Sequence, residues 1–137
     1  MRRLMLSALA SLALIACKPE IATADPLDAF GQGIEWRVTE IAGTPVPEGM
    51  SVTMAIREAG LIGGSGGCNR YNGRITVVDG ALHLGELAGT RMMCPPEQMQ
   101  VEQSFHSTLP RARLSQITDG VLELTDAGGK VLIRATR

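Results

Sequence analysis

Two histidines, a handful of cysteines and one glycine-dense loop are the places where this 137-residue chain could do chemistry. His83 and His106 are the natural general bases or metal ligands. Neither stands in His-x-Glu or His-x-x-x-His spacing, and no Cys-x-x-Cys pair accompanies them. His83 lies between Leu82 and Leu84 in an alternating run, which turns it to solvent, and His106 follows Phe105 as a surface or boundary residue. Ser104 beside His106 lacks the glycine-framed elbow that presents a nucleophile. Catalysis requires a nucleophile with a base in reach, paired carboxylates, or a metal with about three ligands. The sequence supplies none of these, so no enzyme, catalytic residue, metal or cofactor is expected.

The stretch Gly60-Leu61-Ile62-Gly63-Gly64-Ser65-Gly66-Gly67-Cys68-Asn69-Arg70-Tyr71-Asn72-Gly73 invites a phosphate-loop reading. That reading fails, because no Lys-Ser/Thr follows and no helix opens on the glycines. Glycine at this density instead marks backbone that bends, bulges or passes close to other atoms.

The cysteines are Cys17, Cys68 and Cys94. Met1-Arg2-Arg3, an apolar run from Leu4 to Ile15, and Ala16-Cys17 follow the order of a secretory signal. As a helix that run spans roughly 18 Å, too short for a bilayer core of about 30 Å. Leu14-Ile15-Ala16-Cys17 matches the bacterial lipobox, so residues 1–16 are expected to be removed and Cys17 lipidated; the competing reading is a plain signal with an incidental Cys. Stable anchoring takes two signals or chains, and Lys18 after the modified Cys, by similarity to lipoprotein sorting, favours the periplasmic face of an outer membrane. With Cys17 acylated, an even pair remains in an oxidising compartment, which predicts a Cys68–Cys94 disulfide against the alternative of two buried thiols.

Removing 16 residues leaves 121, one domain's worth, and takes Arg2 and Arg3 with them. The 13 Lys+Arg fall to 11 against 14 Asp+Glu, a side-chain net of −3. An acidic chain with four aromatics lacks the basic face that nucleic acids require. Residues 17–33, with Pro, Ala, Gly and acids, read as a flexible tether, and the folded domain as 34–137.

Beyond Ile34 short runs alternate: Ile34, Trp36 and Val38; Val52, Met54 and Ile56; Ile75 and Val77; Leu82 and Leu84. Asp79-Gly80 and Asp119-Gly120 join such runs as type I′ hairpin turns, and Asp126–Gly129 makes a third connection, to Val131–Ala135. Between them Pro95-Pro96 opens a helix over Glu97 to Leu109, with Val101, Phe105 and Leu109 on one face and Pro110 at its end. The predicted class is mainly β: a curved antiparallel sheet or small open barrel with one packed amphipathic helix.

These elements carry motifs that resemble the META domain family, which includes HslJ-like bacterial lipoproteins. The family pattern is a Trp in the first strand, a Gly-x-x-Gly-Cys-Asn-x-aromatic-x-Gly motif, a Thr-Arg-Met-x-Cys motif, and a helix bearing Glu and an aromatic. This chain supplies Trp36, then Gly64 through Gly73, then Thr90-Arg91-Met92-Met93-Cys94, then Glu102 and Phe105. The resemblance spans Ile34 to Ala135 and implies a heat-shock or envelope stress role. Asn69 suits a left-handed turn beside the glycines. Arg91, if buried, needs a carboxylate, with Glu86 and Glu102 as candidates. The alternative is that Gly67, Asn69, Arg70, Tyr71, Gly73, Thr90 and Arg91 include a recognition surface. The expected activity is non-enzymatic, through contacts with an unidentified envelope protein or the membrane. Alternatives are a small-ligand carrier and a pilot-type lipoprotein that binds a peptide, with strand addition at a free sheet edge as one means of capture.

Overall fold

The computed structural model describes residues 24–137; the expected signal, lipidation site Cys17 and first part of the tether lie outside the described residues. Ten strands and one helix follow one another as β1 (Trp36–Ile41), β2 (Thr44–Pro45), β3 (Thr53–Glu58), β4 (Leu61–Ser65), β5 (Arg70–Val78), β6 (Ala81–Leu84), β7 (Ala88–Gly89), α1 (Pro96–Thr108), β8 (Leu114–Thr118), β9 (Val121–Thr125) and β10 (Val131–Thr136). The expected class holds: a curved antiparallel sheet, open rather than closed into a barrel, with a single helix.

The sheet runs β6-β5-β4-β3-β1-β10-β9-β8, with β2 on β1 and β7 on β5. Two meanders, β3 to β6 and β8 to β10, are therefore joined by the first strand. β1 pairs with β10 from Arg37↔Thr136 to Ile41↔Ile133, and with β3 at Trp36↔Met54 and Arg37↔Thr53. The two ends of the sheet approach where the Leu82 amide donates to Arg113 O at 2.6 Å.

Period-two patterning does what it should. In β5, Tyr71, Gly73 and Ile75 are buried while Arg70, Asn72, Arg74 and Thr76 face out. Asp79 and Gly80 take φ of 51° and 76°, and Asp119 and Gly120 take 51° and 79°, the paired positive values of type I′ turns. Asp126 Oδ1 accepts from the amides of Gly128 and Lys130, which fixes the third turn.

The helix opens with Pro96 in its first turn and Glu97 beside it, as the dipole favours, and a short 3-10 turn over Leu109–Arg111 follows it. Phe105 and Leu109 are fully buried and Val101 packs against the same core as Trp36, Met54, Ile75, Leu122, Leu124 and Ile133.

The tether expected through Gly33 is corrected at its end. Phe30 is fully buried, its carbonyl accepts from Trp36 Nε1 at 2.7 Å, and the Gly33 amide donates to Ile56 O at 2.8 Å. Upstream, the Pro26 carbonyl accepts from Ser115 Oγ. One aromatic among glycines and acids carries no periodicity, so its burial left no mark in the sequence pattern. The Arg137 guanidinium stacks 5.2 Å from the Trp36 ring centroid and covers the same residue from the other terminus.

Candidate functional site

The two motifs meet the helix at one corner of the sheet. The chain reaches it along β4, where Gly64 crosses β3 so closely that a Cβ would lie 2.7 Å from the Thr53 carbonyl carbon and closer still to its oxygen. Backbone cannot yield there, so only glycine fits. The Thr53 hydroxyl accepts from the Ser65 amide at 3.1 Å, and its carbonyl accepts from the Tyr71 hydroxyl at 2.9 Å. At Gly66 a Cβ would stand 3.0 Å from both Glu102 Cγ and His106 Nε2, so this glycine lets the helix side chains close over the loop. Gly67 then takes φ of +114°.

Glu102, from the middle of α1, is the hub. One carboxylate oxygen accepts from the Cys68 amide at 3.1 Å and the Asn69 amide at 2.5 Å; the other accepts from Asn69 Nδ2 at 2.9 Å. Asn69, buried, extends the network to the second motif. Its Oδ1 accepts from the Met92 amide at 2.6 Å and the Thr90 hydroxyl at 3.1 Å, and its Nδ2 reaches Met92 O at 3.4 Å. Thr90 and Arg70 exchange further bonds, Arg70 N to Thr90 Oγ1 at 3.3 Å and Thr90 N to Arg70 O at 3.1 Å. A Cys68–Cys94 disulfide closes the corner covalently, as the cysteine arithmetic predicted.

The electrostatics follow from this wiring. Burial pulls the Glu102 carboxyl upward, but the bonds from Asn69 and Cys68 and the neighbouring His106 outweigh it, so its pKa lies below the usual value. Burial pushes His106 below the ordinary imidazole value against the pull of Glu102. Burial likewise raises the Tyr71 phenol, partly opposed by Arg57. Tyr71, Phe105 and His106 stack edge-on or tilted, with centroids 5.3 to 5.9 Å apart.

Of the residues the sequence singled out, Gly67, Cys68, Asn69, Thr90 and Cys94 come together here. Tyr71 and Gly73 are core residues of β5, and Arg70 and Arg91 are exposed. Two expectations are corrected. Asn69 is not left-handed: its side chain bridges the motifs, and Gly67 supplies the positive φ. Arg91 is not buried against Glu86 or Glu102, because Glu102 is taken by Asn69 and two backbone amides. His106, expected as an ordinary surface or boundary residue, instead has its Nε2 buried against Gly66 without a hydrogen-bond partner. His83 is exposed on β6, as expected. Among the described residues no three His, Cys, Asp or Glu side chains converge on a metal-sized site.

Open grooves flank the corner. One of about 890 Å³ runs along α1 past Met93, Met99 and His106, and one of about 500 Å³ runs past Thr90, Arg91 and Met92. A third of about 780 Å³ carries Arg57 and Arg70.

An open antiparallel sheet, one covering helix and a disulfide-clamped glycine corner define the class of the described residues, a small, mainly β domain. The META domain profile matches residues 29–137, and the chain belongs to the META domain family. No curated protein matches the chain. Among solved structures, an NMR structure of a protein from Burkholderia xenovorans is similar, with 24% identity over 97% of this chain and 99% of that one and a TM-score of 0.63. A further NMR structure shares 25% identity over 80% of this chain and 92% of its own, with a TM-score of 0.58. A crystal structure of a DUF4847 family protein from Bacteroides vulgatus shares 16% identity over 80% of this chain and 95% of its own, with a TM-score of 0.55.

Proposed function

We propose that this META domain protein is a non-enzymatic, HslJ-like lipoprotein of the bacterial envelope. In this reading it is anchored by acyl chains on Cys17 to the outer membrane, faces the periplasm, and acts in stress resistance through contact with another envelope protein. The observation that supports the reading best is that the motif corner satisfies itself: the Glu102 carboxylate and the Asn69 amide are engaged by backbone and by each other. Groups held this way build a surface; they do not turn over a substrate. What they leave outward is exposed Arg70 and Arg91, beside grooves that suit a protein contact. A small-ligand carrier draws less support, because the space between sheet and helix is filled by Trp36, Phe105, Leu109 and their neighbours. The pilot-type reading has one observation in its favour: β8 ends the sheet and carries exposed Leu114 and Ile117, a place for an added peptide strand.

Metabolic labelling with palmitate, followed by membrane fractionation, tests the anchor: label in the outer-membrane fraction, lost in Cys17→Ser, is the expected result. Crosslinking from native membranes should then capture one envelope protein with the native chain and not with an Arg70→Glu/Arg91→Glu variant of unchanged melting temperature. An acyl-free cytosolic protein with both thiols reduced would overturn the proposal.

A further inference from the structure

Seven large hydrophobic side chains stand exposed among the described residues, and three of them, Met92 at 57%, Met93 at 88% and Met99 at 40%, collect on one groove. The other four are strand residues away from it. His106 lines the same groove. We propose that Met92, Met93 and Met99, with His106 on the wall beside them, bind a soft monovalent metal ion of the Cu(I) or Ag(I) kind.

The ligand chemistry selects the metal. Thioethers are neutral at every pH, polarizable and soft, so they hold Cu(I) and ignore hard cations such as Mg²⁺ and Ca²⁺, which demand oxygen. Imidazole is compatible with the same metal. It must be unprotonated to bind, and burial already favours the neutral form of His106. The nearby cysteines do not compete, because both sulfurs are in the disulfide. Arg91 also lines the groove, and the Glu102 carboxylate on its wall offsets that charge.

The backbone that carries the thioethers is held in advance. The Met92 amide and carbonyl are both bonded by the Asn69 side chain. Met93 is bracketed by that pair and by Cys94, whose disulfide ties it to the loop across the corner. Met99 stands on the rigid helix. Outer-shell support of this kind is what orients metal ligands. The same wiring explains a cost: three unbranched apolar side chains left in water contribute nothing to the core, where methionine ordinarily fills gaps.

Ag(I), redox-inert and matched to Cu(I) in softness, is titrated into the full chain in detergent solution with the disulfide intact and the methionine methyls ¹³C-labelled. The Met92, Met93 and Met99 resonances should shift together and saturate at one equivalent. The Met92→Leu/Met93→Leu/Met99→Leu variant, close in shape and exposed at every site, should keep its melting temperature and lose at least about tenfold in affinity. Unmoved methyls at stoichiometric metal, or equal affinity in the leucine variant, would overturn the proposal.

Discussion

The motif corner and the β8–β9–β10 meander sit in one sheet but are held by different means. The meander rests on repetition: Leu122, Leu124, Leu132, Ile133 and Ala135 are all buried, and the polar contacts lie outside, where Arg134 meets Glu40 at 2.6 Å and Glu123 at 3.0 Å. The corner rests on a few unique bonds: one carboxylate, one amide, one disulfide and glycines where no Cβ fits. Apolar burial is non-directional and shared among many neighbours, so losing one contact is partly absorbed. A polar network in partly dry surroundings has no spare partner for a group left alone. Single changes should therefore act sharply in the corner and softly in the meander's polar rim.

The largest loss should come from replacing both Cys68 and Cys94 with Ser. Their bond spans 26 positions, and the chain-entropy model assigns about 3.5 kcal/mol to such a loop, readable as a lower urea midpoint. Gly64→Ala should cost about 3 kcal/mol, because the new methyl meets the Thr53 backbone and nothing there can move aside. A tolerated Gly64→Ala would mean that β3 and β4 are not locked as described. Asn69→Ala should cost about 2 kcal/mol, since the Met92 amide and a Glu102 oxygen lose their partner.

Acid should act on the corner in two stages. A group whose folded pKa is depressed contributes stability that is full above its unfolded value and is lost as pH falls through the folded one. For His106 that loss begins below about 6.5, and for Glu102 below about 4.5. Melting temperatures of the native chain and Glu102→Gln should therefore differ most near neutrality and converge below pH 4.5. Parallel curves would remove Glu102 from the account. The smallest effect belongs to the meander: Arg134→Ala, on an exposed side chain, should leave the melting temperature within the scatter of the native protein.

The contrast also sorts what the sequence disclosed. The meander was legible because its signals are local: alternation in β9, where Leu122 and Leu124 are buried, and Asp119-Gly120 at its hairpin. The helix face Val101, Phe105 and Leu109 was legible for the same reason. The corner was half legible. Its glycines, cysteines and motif residues stood out by type, and the disulfide followed from counting thiols. The partner choice did not. Asn69 and Glu102 are 33 positions apart, and no spacing rule says that an asparagine rather than Arg91 takes the carboxylate. His106 and the three methionines escaped because their placement depends on how the second motif folds against the helix. Phe30 escaped because it is a single buried residue in a segment without periodicity.

The central claim is that Asn69 and Glu102 form one structural bond that joins both motifs to the helix. A double-mutant cycle of Asn69→Ala and Glu102→Ala, followed by urea unfolding of the oxidised protein, measures it directly. The account predicts a coupling of at least about 1 kcal/mol, the two single losses overlapping in the double variant. Strictly additive losses would contradict it.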